Sequence, residues 1–163
     1  MAFAYGTSIT TPNGSIAIEQ LNIGDPVSAW TPDGKVTTEV VFSSGTPEGF
    51  PASDIFFLEF DECSLIVTRD QPFVLADNKV KKTTELGPGD QLLKPDGQTV
   101  TLRMMSVGQW NRGLNGIAID KTNNTGNHLI IANGIVCGDY VMEVMPSPHD
   151  DDRPFLEDHK ITD

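Results

Sequence analysis

The stretch "LNIGDPVSAWTPDGKVT", residues 21–37, decides the fold because it occurs twice. "LGPGDQLLKPDGQTVT", residues 86–101, repeats it in outline. Leu-x-x-Gly-Asp recurs with an offset of 65, and each copy continues through a short apolar run, Pro-Asp-Gly and another run. Gly-Asp and Pro-Asp-Gly favour tight turns, so each copy reads as an apolar anchor, a turn and a β-hairpin. Taken singly these are common turn dipeptides. Their recurrence in one order with nearly equal gaps argues for two similar subdomains related by a pseudo-two-fold axis.

The rest of the chain is punctuated in the same way. Further turn signals stand at "PNG" 12–14, "ADN" 76–78 and "ANG" 132–134. Between the turns lie β-rich runs such as "SIAIEQL", "KVTTEVVF", "DIFFLEF", "SLIVT", "PFVL", "TVTLRMM", "GIAID", "HLIIA" and "GIVCGDYVMEV". No segment keeps a 3.6-residue apolar period over 12 or more positions. The expectation is an all-β domain of many short strands, with one helical turn around "EQLNIGD". That domain spans residues 2–145. After Met145 the chain becomes acidic and Pro-rich, and 146–163 reads as a tail or a strap with Phe155 and Leu156 as its anchors.

At 163 residues and 38% apolar composition the chain can bury the core of one domain. The net charge of −12, from 23 acidic and 11 basic residues, argues against a nucleic-acid partner, whose phosphates it would repel. No apolar run approaches 18 residues, so no membrane helix is expected. Cys63 and Cys137 could pair once, although spacing alone does not decide it. Without a Cys-x-x-Cys and with scattered histidines, no structural zinc site is expected. His149, Asp150, Asp151, Asp152 and His159 read as a solvated acidic run before they read as a cation site. "NGS" at 13 and "NNT" at 123 match the glycosylation sequon weakly.

The reactive candidate lies in "LIVTRDQPFVL", residues 65–75, a strand, a tight turn and a second strand. Together with three other blocks it carries a resemblance. "AFAYGTSITTPNGSIAIEQLNIGDPV" (2–27), "LIVTRDQPFVL", "KKTTELGPGDQLL" (81–93) and "NHLIIANGIVCGDY" (127–140) resemble, in order, the conserved blocks of Hint domains, the Hedgehog/intein autoprocessing family. The resemblance covers about Ala2 to Tyr140. It implies an all-β Hint horseshoe with a pseudo-two-fold internal repeat, which agrees with the repeat above.

It also implies a chemistry. In the family a Cys or Ser attacks the preceding carbonyl and converts an amide to an ester or thioester. A Thr and a His polarise that amide and protonate the leaving nitrogen. In inteins a terminal Asn, helped by an adjacent His, cyclises and cuts the second junction. By position the nucleophile falls on Ala2, the second-block pair on Thr68 and Gln71, the penultimate His on Gly138 and the cyclising residue on Asp139. Tyr140 begins the downstream segment, and His128 falls on a histidine frequent in the last block.

Most of these positions carry the wrong side chain. The Ala2 methyl cannot attack a carbonyl. Gln71 exchanges no proton near neutral pH, where a general acid contributes about 10²–10⁴-fold. Gly138 offers no acid, Asp139 is ionised in water and cyclises poorly, and Tyr140 is not a usual acceptor of the splicing branch. An engineered replacement would account for Ala2 alone, but several replacements point to natural loss of at least the C-terminal chemistry. The expectation is an intein-like Hint domain, related to splicing and autoproteolysis on its own flanking segments in cis, without a cofactor, and inactive as given. Two alternatives remain open. One is a non-catalytic binding or scaffold module whose cleft is filled by its own side chains or strap, or which holds a protein partner. The other is a domain that cleaves one junction only, after Asp139.

Read without the resemblance, the same residues are ordinary. Thr68 is a strand-end β-former with a satisfied hydroxyl, Gln71 a turn residue, His128 a surface or half-buried histidine, and Cys137 a buried inert thiol.

Overall fold

The computed structural model describes residues 2–122 and 125–145. The expected tail, 146–163, with its acidic cluster, Phe155 and Leu156, lies outside the described residues. The strands in chain order are β1 (Phe3–Ala4), β2 (Ser8–Thr11), β3 (Gly14–Ala17), β4 (Pro26–Thr31), β5 (Gly34–Glu39), β6 (Phe42–Thr46), β7 (Ala52–Phe60) and β8 (Ser64–Thr68). They continue with β9 (Pro72–Val74), β10 (Val80–Lys82), β11 (Gln91–Leu93), β12 (Thr99–Trp110), β13 (Leu114–Ala118), β14 (Leu129–Ala132) and β15 (Ile135–Gly138). One α-helix, α1, covers Tyr140–Val144. The all-β expectation is met. No helix among the described residues is long and apolar enough to cross a membrane.

The strands form a seven-stranded sheet in the order β11-β12-β7-β8-β1-β13-β6, a six-stranded sheet in the order β10-β9-β15-β14-β2-β3, and the β4–β5 hairpin. Every register pairing is antiparallel, as expected of strands joined by short turns. A main apolar core gathers Phe3, Ile9, Leu58, Val67, Phe73 and Leu102 with residues from both larger sheets. A smaller cluster joins Trp30, Val74, Leu93 and Ile131 to Met142 of α1.

The repeat is real at the level of individual hydrogen bonds. In the first copy Gly24 N donates to Val40 O at 2.8 Å, Val40 N to Asp25 O at 3.0 Å, and the Asp25 carboxylate accepts from Asn22 N at 2.8 Å. In the second, Gly89 N donates to Leu102 O at 2.8 Å, Leu102 N to Asp90 O at 2.9 Å, and the Asp90 carboxylate accepts from Gly87 N at 2.9 Å. Gly24 and Gly89 share φ = 96°, a conformation open to glycine at little steric cost. A one-turn 3-10 helix precedes each anchor leucine, at Ile18–Gln20 and Thr83–Glu85. The first of these overlaps the start of the helical turn expected around "EQLNIGD", at Glu19 and Gln20.

The copies extend further upstream than the sequence pattern shows. Thr7 N reaches Ala4 O at 3.2 Å and Ile18 N reaches Thr7 O at 2.8 Å. Gln71 N reaches Thr68 O at 3.2 Å and Thr83 N reaches Gln71 O at 3.0 Å. The β14–β15 hairpin then bridges the halves, β14 pairing with β2 and β15 with β9.

One expectation needs correction, and one open question is answered. "GIVCGDYVMEV" is not one strand, because β15 ends at Gly138 and the chain turns into α1. The turn is made by Asp139, whose side chain caps the helix by accepting from Met142 N at 3.2 Å. Cys63 and Cys137 do not pair, and both thiols are free.

Candidate functional site

The residues singled out by sequence converge on one end of β1, β8 and β15, under α1. Ala2 leads into β1, which is hydrogen-bonded between β8 and β13 near the middle of the large sheet. It is buried, and its carbonyl accepts from Thr68 N at 3.0 Å. β13 runs alongside, and a Cβ added at Gly116 would sit 3.2 Å from Ala2 N and 3.3 Å from Tyr140 Cδ1. Tyr140 is half-buried and stacks on Phe42, with ring centroids 5.4 Å apart.

Thr68 ends β8, and its hydroxyl donates to the carboxylate of Glu143 on α1. Sequence reading had passed over Glu143, which is 5% exposed. Lys82 on β10 holds the far end of the same helix, its Nζ donating to Glu143 O at 2.9 Å and Met145 O at 2.7 Å. Those carbonyls belong to the helix C-terminus, where a cation is favourable. The expected hydroxyl partner for Thr68 therefore exists, supplied by a segment that had been expected to be strand.

Gln71 is not an ordinary turn residue. It is fully buried, and its Nε2 donates to Gly138 O at 2.8 Å and Pro72 O at 3.0 Å. Two carbonyls on one atom fix which end of the amide is nitrogen, since the reverse would oppose oxygens. Its Oε1 has no protein partner, the one such buried side-chain atom among the described residues. Gly138 has no room for a side chain, because a Cβ there would lie 2.9 Å from Met142 Cβ, Met142 Sδ and Pro72 Cγ.

His128 contradicts its ordinary reading most clearly, being fully buried rather than at the surface. Its Nδ1 lies 2.8 Å from Asp139 Oδ2 and its Nε2 lies 2.6 Å from Thr122 O. A carbonyl can only accept, so Nε2 carries a proton and donates to Thr122. Asp139 is likewise fully buried, not in water, and accepts from Ile119 N at 2.9 Å as well as from Met142 N.

Burial alone would lower the proton affinity of His128, but the hydrogen bond and charge of Asp139, with the Thr122 carbonyl, raise it above the ordinary histidine value. Burial pushes the Asp139 carboxyl up, against His128 and the two backbone amides. Both groups thus hold protons more tightly than when free, and they share one across Nδ1 and Oδ2. Burial also pushes the Cys137 thiol up, which agrees with an inert sulfur.

Thr68 and His128 do not share a hydrogen bond or a common partner. Instead α1 packs on these residues, with Tyr140 and Ala2 both beside Gly116, Met142 in the smaller apolar cluster and Glu143 on Thr68. No group of three or more metal-binding side chains occurs among the described residues.

No family model matches the chain, and no curated protein matches it. Solved structures do. A bacterial intein-like domain from Clostridium thermocellum superposes with a TM-score of 0.72 at 22% identity, covering 85% of this chain and 97% of that one. A DnaB intein from Synechocystis gives 0.68 at 14% identity, covering 85% and 97%. The gp41-1 intein gives 0.64 at 19% identity, covering 85% and 98%. The architecture is the Hint/intein fold, over nearly the whole length of those domains.

Proposed function

We propose that this is a Hint-fold domain that does not splice or cleave as given, and that serves instead as a scaffold with its cleft closed from within. The carrying observation is the state of the second junction. Asp139 is at once the cap of α1, the partner of buried His128 and an acceptor for two backbone amides. A side chain so engaged is not free to attack its own carbonyl. The remaining replacements support the same reading. Ala2 offers no nucleophile, Gln71 grips Gly138 O without a transferable proton, and Gly138 leaves no space for a histidine.

The seating of α1 on Thr68 favours this over residual chemistry on the flanking segments in cis. An active site of this kind would leave Thr68 facing the bond to be broken, whereas its hydroxyl is committed to Glu143.

The test is intact mass over days, on the full chain carrying an inert peptide at each end. The unmodified protein should stay whole at acidic and neutral pH. Restoring the front end with Ala2→Cys and Gln71→His should give partial N-terminal cleavage at most. Splicing of the unmodified chain would overturn the proposal, and a cut at Asp139–Tyr140 would establish the one-junction alternative.

A further inference from the structure

We propose that α1 is a pH-released plug: the single proton between Nδ1 of His128 and Oδ2 of Asp139 keeps it seated on Thr68 and β15, and loss of that proton lets it leave. The inference rests on the silent-cleft reading above and concerns how that cleft is kept shut.

A helix of five residues is far below the length that holds itself together in water. It persists through side-chain anchors at both ends. At the C-terminal end these are Lys82, on two helix carbonyls, and Glu143, on the Thr68 hydroxyl. At the N-terminal end the anchor is Asp139, which caps the helix and is itself held by His128 and by Ile119 N. Met142 adds an apolar contact between them.

The N-terminal anchor is the one that titrates into a contradiction. With the proton present, Nδ1 and Oδ2 make a good bond at 2.8 Å. With it gone, Nε2–H is still committed to Thr122 O, so the Nδ1 lone pair faces a carboxylate oxygen in a dry site. A buried carboxylate facing a lone pair is unfavourable, and water is the remedy. Release of Asp139 to solvent undoes the cap.

The surrounding charges do not offer another source for the proton. Asp120 lies on the His128 side and adds negative charge. Cys137 of β15 faces Asp139 as a neutral thiol. Glu143 and Lys82 are engaged at the opposite end of the helix. Once Asp139 has left, His128 loses the partner that raised its proton affinity. The seated state then holds one proton more than the released state between the lower, released value of His128 and its raised, seated one. One extra proton means that seating weakens about tenfold per pH unit through that window, and the raised Asp139 carboxyl adds a separate acidic window of the same sign.

Hydrogen exchange at the amides of Met142 and Glu143, corrected for intrinsic rate, reads this directly on the full chain. Protection should fall by about tenfold per unit as pH rises through the His128 titration, while β14 and β15 amides stay protected. His128→Asn keeps a donor toward Asp139 but cannot titrate, and should flatten the profile. Glu143→Gln should lower protection at every pH and keep the slope. A flat profile in the unmodified protein, an unchanged slope in His128→Asn, or loss of β14 and β15 protection in step with α1 would each overturn the proposal. Intact mass on the same samples separates this failure from failure of the silent-cleft reading, since a cut junction appears as mass and a seated helix does not.

Discussion

The turn at Ala4–Thr7 and the turn at Thr68–Gln71 are copies of one backbone plan with opposite attachments. Each is closed by the same 3.2 Å amide bond, and each passes its last carbonyl to the start of a one-turn helix. Their side chains then part. Thr7 turns inward and donates to Ala4 O at 2.7 Å, satisfying itself inside its own turn. Gln71 leaves its turn for Gly138 O, 67 residues away. The first copy is self-contained, whereas the second holds the end of the domain. A duplicated fold gives two equivalent positions, and one of them was free to take on a long-range task.

Six substitutions break or sharpen that contrast. Asp139→Ala should be the most damaging, at about 3–5 kcal/mol, because it leaves His128 buried without its partner and also removes the α1 cap. Urea denaturation measures it, and a cost below about 1 kcal/mol would mean that the second copy is not coupled to the C-terminal end. Gln71→Leu should cost about 2–3 kcal/mol by stranding two carbonyls, against about 1 kcal/mol for Thr7→Val in the equivalent turn. Equal costs would erase the asymmetry. Gly138→Ala should cost about 1–3 kcal/mol through overpacking on Met142 and Pro72, with exchange protection lost first in α1. Smallest and most alike are Asp25→Ala and Asp90→Ala, each about 1 kcal/mol. Those two carboxylates do the same work in both copies, so a large difference between them would deny the repeat.

The contrast also explains what the sequence disclosed. Leu21–Asp25 and Leu86–Asp90 were legible because turn chemistry is local and leaves glycine and aspartate at fixed offsets. Thr7 and Gln71 share no side-chain chemistry, so their equivalence showed only in backbone hydrogen bonds. The helix was missed because five residues cannot display a 3.6-residue period. Its Val and Tyr are strand formers by propensity, and packing on β13 and β15 overrides that preference.

His128 and Asp139 were singled out separately, yet their partnership was recoverable. A two-residue turn centred on Asn133–Gly134 pairs Ala132 with Ile135, and counting outward reaches Leu129 opposite Gly138. One further step sets His128 against Asp139. Glu143 on Thr68 had no such signal, because no local rule predicts what a short terminal helix will touch across 75 residues.

The absent side chain at Gly138 carries a consequence for which substitutions the molecule can accept. Met142 and Pro72 occupy the volume that a larger residue would need. A histidine does not fit at 138 while Met142 stays, and shrinking Met142 alone would open a void under α1. Each single step is therefore uphill, and exchange of the pair passes through poorly folded intermediates. Tight packing works here as a latch, tying glycine at 138 to methionine at 142 against change one substitution at a time.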